Sequence, residues 1–490
     1  MKKILTYSIL LTIALSLNSC SASFLDRYPS TSLATPLAIT NYDDAMTALS
    51  GMYYMVRGNS GNIGWYGARL WYYGDVRGDD MQAQKMGNRS SACYEMRYTL
   101  TDAPDMWAVP YDCIRRANNI IAAIEADKVT DATEAEINDI KGQAIAIRAL
   151  AHFDLVRVYG KPFTVDNGAS LGVPIELEPG DPTSQPTRNS VAEVYTQVIK
   201  DLTDAAAMLS KSKNTGYMNY WAAKALLARV YLYKGDNANA LSTAQEVITQ
   251  SPYTLWSTAE YTGVWGKSGT SEMIFELITS GTESWVDREF VGYLLSEDGY
   301  ADYIMTKKFA DFMQEDPDDV RLGVMLESKN TGQPAYGTTL VFLNKFPGRE
   351  DWSPIDVRIN NSPVLRLSET YLIAAEAAVK LNQPDVAAGY LNSIILRANP
   401  NATPVTSPTL DRVLDERRKE LVGEGHRFFD LLRNGKQVVR YTNDTDQGFH
   451  LALDAASRSF DVDYFRAILP IPKNEVDANP NIAAQQNPGY

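Results

Sequence analysis

The 490-residue chain has three histidines, three cysteines, no basic run and, beyond its first twenty positions, no apolar stretch long enough to cross a bilayer. Each scarcity excludes something. With a formal charge of −14 the surface repels phosphates, which excludes nucleic acid as a partner. His152 falls in a helix-like stretch, His450 in a loop-like one and His426 in a charged segment, none in a close ligand spacing such as H-E-x-x-H. No catalytic zinc, and no other metal or cofactor, is therefore expected. There is no G-x-S-x-G nucleophile motif, and the nearest Gly-rich stretch, GNSGNIGWYG, lacks the lysine and following helix of a phosphate loop. Its glycines suit loop turns beside aromatic residues. Cys93 and Cys113 could pair in an oxidising compartment, but two cysteines in so long a chain are no disulfide framework.

What is present begins with a leader. Lys2 and Lys3 precede the apolar run ILTYSILLTIALSL, then Asn18, Ser19 and Cys20. The run is too short for an ordinary membrane span and reads as a secretory signal. Leu17, Ser19 and Cys20 resemble a bacterial lipoprotein box, in which the cysteine is acylated and becomes the first mature residue. Residues 1–19 are thus read as signal peptide and 20–40, rich in Ser, Thr and Pro, as an acylated tether.

Residues 41–490 read as one mainly helical domain. At 45% hydrophobic and 22% charged residues the whole chain has the composition of a globular protein with a large core. Asn41 to Asp44 supply helix-capping types, and Ala146, Ala149, Leu150, Phe153 and Val156 fall on one helical face that Gly160 and Pro162 end. Residues 219–248 resemble a tetratricopeptide unit: Ala223, Leu226, Leu227, Val230 and Tyr231, a Gly235-Asp236 turn, then Ala238, Leu241 and Ala244. A second copy aligns at 367–395, and weaker pairs are drawn near 41–126 and 134–209. Four helix pairs (near 41–126, 134–209, 217–250 and 361–398) predict a short tetratricopeptide-like solenoid. Two large irregular insertions, near 58–104 and 252–360, interrupt it. Long structureless loops in a compact domain are usually functional, so a ligand is expected there.

The segment ERRKELVGEGHRFFDLLRNGK, 416–436, poses the sharpest question. Its carboxylates, arginines and His426 look like acid/base chemistry, yet its charges also fall at ion-pairing helical spacings beside an apolar side of Leu414, Leu421, Val422, Phe428 and Leu431. We read it as scaffold, with His426 a packing residue.

Several segments together resemble the SusD/RagB family of cell-surface nutrient-binding lipoproteins: the lipobox with SFLDRYP, QAIAIRALAHFDLVRVYGKPF, LRLSETYLIAAEA, the charged segment above and ILPIPKNEVDANPNIAAQQNPGY. The match spans the mature chain. It departs at Ala151-His152, where aromatic pairs are frequent, and at Ala483-Ala484-Gln485, which lengthens a step near the C-terminus. The resemblance implies a non-catalytic protein on the outer face of the outer membrane, acting as a lid over a SusC-like TonB-dependent transporter. Its ligand would be an oligosaccharide, less often a peptide.

A sugar site needs aromatic plates for C–H faces and planar polar groups for hydroxyls. In the first insertion Trp65, Tyr66, Trp71, Asp79 and Asp80 offer that mixture, and in the second Trp285 and Tyr293. Packing of these aromatics against the helices is the competing explanation, and Trp107, at the start of a repeat helix, is expected in the core. Alternatives to a glycan lid are a peptide-binding member of the family, a surface glycoside hydrolase with paired carboxylates, and an assembly adaptor with no small ligand.

Overall fold

The computed structural model describes residues 38–58, 64–84, 91–103, 105–181, 183–282, 290–328 and 339–490. The leader, Cys20, nearly all of the tether and Trp285 lie outside the described residues.

Helices dominate, and most begin at a capping residue. The Asn41 side chain accepts from the Asp44 N–H ahead of α1 (Tyr42–Arg57), and α2 is Ala108–Glu125. Reciprocal Thr133–Glu136 and Ser190–Glu193 capping boxes open α3 (Glu134–Tyr159) and α4 (Val191–Met208). Asn219 caps α5 (Tyr220–Lys234), left-handed Gly235 ends it, and α6 is Asn237–Gln250. Then come α7 (Leu367–Lys380) and α8 (Pro384–Ala398), the latter opened by Pro384.

These eight helices pack each on the next, from α1 to α8. Consequently α3 is buried all round from Ile140 onward, where its sequence marked a single apolar face. The junction of the third and fourth pairs is built of small residues. Ala228, Ala240 and Ala244 meet Ala374, Ala377 and Ala387, so α6 and α7 touch although the second insertion separates them in sequence. Trp107 is buried at the start of α2. Two further helices, α9 (Leu410–Leu421) and α10 (Arg427–Arg433), carry the charged segment, and α9 packs on α7. Among the described residues no helix is long and apolar enough to cross a membrane.

The insertions are less irregular than their sequence suggests. The first holds two π-helical turns, Trp65–Arg69 and Tyr72–Val76, and strand β1 (Met81–Ala83). The second holds β2 (Met273–Leu277), β3 (Tyr303–Met305), β4 (Met325–Glu327) and β5 (Val341–Leu343), with a helix over Lys307–Gln314 capped by Thr306. Elements of three to eight residues are too short to show a period in sequence. Strand β1 pairs antiparallel with β3, Met81 opposite Met305, which joins the two insertions. Strand β2 pairs with β6 (Ser362–Arg366), which leads directly into α7.

Candidate functional site

The charged segment resolves into a buried ionic hub. Arg366 reaches Glu272 at 2.5 Å, Glu420 at 3.1 Å and Glu424 at 2.7 Å, and Lys345 meets Glu424 at 2.7 Å. Arg397 closes on Glu420 at 2.6 Å, and Arg321 on Glu416 at 2.7 Å. Arg417 and Arg433 hold Asp430 at 3.0 and 2.6 Å, and Arg433 also holds Glu376 at 2.5 Å. Burial raises the Glu424 carboxyl, and Arg366 and Lys345 outweigh it to leave the group below its ordinary range. These carboxylates are committed to cations inside the protein. His426 is buried with Nδ1 3.8 Å from Glu369, and burial pushes its pKa down to about 4. The hub binds Glu272, Arg321 and Lys345 of the second insertion and Asp79 and Asp80 of the first to α9 and α10, so it positions both insertions.

That arrangement corrects four of the sequence expectations. Asp79 accepts from Arg427 at 2.7 and 3.1 Å, and Asp80 from Arg418 at 3.0 Å, so both carboxylates are buried ion-pair partners and not sugar-facing groups. Burial by itself would raise the Asp79 carboxyl; Arg427 and Arg418 reverse this and hold it well below the usual range. Trp65 is fully buried, its indole N–H donating to Asp154 at 2.7 Å, and Trp71 is buried edge-on against Tyr303 at 5.0 Å. Neither ring is a plate for a sugar. Tyr66 is half-buried, 5.7 Å from the Trp65 ring. Backbone contact explains the tightness of this region. A Cβ on Gly74 would lie 2.0 Å from the Gly425 carbonyl oxygen, and Gly425 itself has φ +85°.

The residues that do reach the surface lie in the second insertion. Tyr293 is half-buried and meets Tyr300 edge-to-face at 4.8 Å. The short helix Val291–Leu295 abuts the loop over 348–360: a Cβ on Gly292 would lie 2.3 Å from Asn360 Nδ2, and Asn360 in turn accepts from the Gly348 N–H at 2.7 Å. That loop presents Arg358, forked onto Asp356 at 2.9 Å and within electrostatic range of the Tyr293 phenol. It also presents Trp352, half-buried against bare Gly281, and Ile355, 62% exposed. Arg349 fixes the loop to the end of β2 by donating to the Thr279 carbonyl at 2.7 Å. Aromatic rings beside planar charged groups suit the two faces of a pyranose. Of the expected site residues that are described, Tyr66 and Tyr293 are half-buried; Tyr300, Trp352 and Arg358, not among those expected, are half-buried in the second insertion as well. Periodicity cannot find loop residues of this kind; the aromatic count of the insertion was the available signal.

Helix pairs in succession carry loop-rich insertions that a buried charged hub holds in place. The lineage of the chain is shown by comparison. The SusD family profile matches residues 183–490, and a second, described as starch-binding associating with outer membrane, matches 24–232. The chain belongs to the SusD family. A SusD superfamily protein from Bacteroides thetaiotaomicron superposes with a TM-score of 0.84 at 40% identity, over 91% of this chain and 100% of that one. One from Bacteroides vulgatus gives 0.83 at 40% identity, over 92% and 100%. A laminarin binding SusD-like protein gives 0.69 at 26% identity, over 92% and 100%.

Proposed function

We propose that this protein is tethered through acylated Cys20 to the outer face of the outer membrane and captures oligosaccharide without any covalent step. It then delivers the ligand to a SusC-like TonB-dependent transporter beneath it. The observation that carries the reading is the surface of the second insertion, where Tyr293 meets Tyr300 edge-to-face and lies within electrostatic range of Arg358, itself forked onto Asp356, and where the loop that carries Arg358 also presents half-buried Trp352. Rings can stack on the C–H faces of a sugar while the charged pair takes its hydroxyls. One of the two family descriptions names starch and one similar protein binds laminarin, so glucans are the first ligand class to examine. The carboxylates of α9 and the following turn, the groups a hydrolase reading would enlist, are occupied by arginine and lysine.

Calorimetric titration of residues 21–490 with malto- and laminari-oligosaccharides and with peptides tests this. Saturable sugar binding without product release supports it. Heat from peptides alone, or release of shortened sugars, overturns it. Co-purification with the transporter from solubilised membranes tests the delivery step, and its loss on Cys20→Ala would place the anchor in that assembly.

A further inference from the structure

A second concavity of ≈ 400 Å³ lies where α1 meets the end of β2, lined among others by Ser50, Tyr54, Arg57, Gly216, Tyr217 and Ile278. Ligand pockets span about 300–1,000 Å³, so its volume suits a sugar unit or two. Its walls are fixed before any ligand arrives. Arg57 sits 5.1 Å over the Tyr54 ring while its Nη1 donates to the Ile278 carbonyl at 2.5 Å. Tyr217 stands edge-on to Tyr53 at 4.9 Å. Gly216 turns the chain at φ +86°, close enough that a Cβ would come within 2.9 Å of Ile278 Cγ1. Two tyrosines, a guanidinium and the Ser50 hydroxyl thus surround one space.

Its position relates it to the surface already described. Ile278 gives its carbonyl to Arg57 of the pocket, and the next residue, Thr279, gives its carbonyl to Arg349 of the Trp352 loop. Consecutive Cα atoms are about 3.8 Å apart, so the two clusters flank one short extended stretch. That stretch continues to Gly281 under Trp352. On the other side Tyr217 also lines a larger depression of ≈ 600 Å³ that follows α1 to Met46 and Tyr42.

We infer that the Tyr54–Tyr217 pocket is a second sugar subsite, continuous with the Trp352 and Tyr293 surface, which takes further units of one oligosaccharide. The inference rests on the glycan-binding reading above and adds that the ligand is a chain several units long. Rigid tyrosine walls bind pyranose faces at little entropic cost, and the Ser50 hydroxyl, whose O–H donates to the Met46 carbonyl at 2.9 Å, offers an acceptor to a sugar hydroxyl.

The test is calorimetry with maltose, maltoheptaose, laminaribiose and laminarihexaose. Tyr54→Ala should weaken the long ligand about three- to tenfold and leave its disaccharide unchanged, the range expected for one aromatic contact. Ser50→Trp, at an exposed helix position, should do the same by filling the pocket with the core untouched. If both variants bind the long ligand as the parent does while Trp352→Ala weakens both lengths, the subsite is refuted and the glycan reading stands. If the parent binds none of the four sugars, the glycan reading fails for glucans and the subsite falls with it.

Discussion

Arg366 grips Glu424 with two parallel hydrogen bonds, Nε to Oε2 and Nη2 to Oε1, both at 2.7 Å, the two side chains being 1% and 5% exposed. One residue ends β6, which pairs with β2 of the second insertion, and the other lies in the turn after α9, so the pair locks that sheet to the charged segment. Removing one partner of a buried pair leaves an uncompensated charge, at a cost of about 3–5 kcal/mol. Glu424→Ala should therefore lower unfolding free energy by about that amount in denaturant titration. Glu424→Ala would also strand Lys345, placing it at the upper end.

Asp75 offers a pH test. Its carboxylate accepts from the Gly425 N–H at 2.7 Å and more weakly from Arg427 N–H at 3.5 Å, and among the described residues no cation lies within salt-bridge reach of it. Burial raises it to about 7 despite those hydrogen bonds. A carboxyl whose folded pKa exceeds its unfolded value stabilises fully below the unfolded value, near 4, and loses that stabilisation as pH rises through about 7. The buried His426, depressed to about 4, works oppositely: its contribution is present above its ordinary 6.5 and lost as pH falls through about 4. The two slopes overlap in the parent. The difference between the parent and Asp75→Asn isolates the first: the variant should gain relative stability steadily from pH 4 to 7, by a few kcal/mol in all.

Two tryptophans should behave in opposite ways. Trp352→Ala is expected to weaken glycan binding about three- to tenfold with the thermal midpoint close to the parent's. Trp65→Ala removes a buried indole and its bond to Asp154, and should cost about 3–5 kcal/mol of stability. Paired titration and thermal melts separate the outcomes; equal loss of stability in both would remove Trp352 from the site.

Cys93 and Cys113 are free and buried, and burial pushes the Cys93 thiol up to about 12 and the Cys113 thiol higher still. The thiolate is the reactive form. Both should resist alkylation in the native protein and label fully in denaturant, without prior reduction, by intact mass.

The helices were legible because their signals are local. Ser190 with Glu193, Asn219 and Gly235 sit where caps belong, and alanines recur at helical spacing. The stretch GWYGARLWYYGDVRGDDM misled because what it packs against is distant in sequence. Asp79 and Asp80 find their arginines more than 300 positions away, and Trp65 finds Asp154 of α3. Its widened helical turns have no 3.6-residue period to detect. A sugar-binding strip and a buried clamp can share one composition, and solvent access alone separates them. At 416–436 the charges do pair, but mostly with distant partners: Glu416, Glu420 and Glu424 find Arg321, Arg366, Arg397 and Lys345, and within the segment only Asp430 and Arg433 pair at the helical spacing the sequence offered.

The ladder from Met81 to Met305 has a bearing on how such proteins diversify. Each of its two strands supplies the other's hydrogen-bonding edge, so replacing one insertion strands the edge of the other. In this chain a graft that moves one insertion without the other therefore begins with a broken seam, and the two are to be exchanged as a matched set.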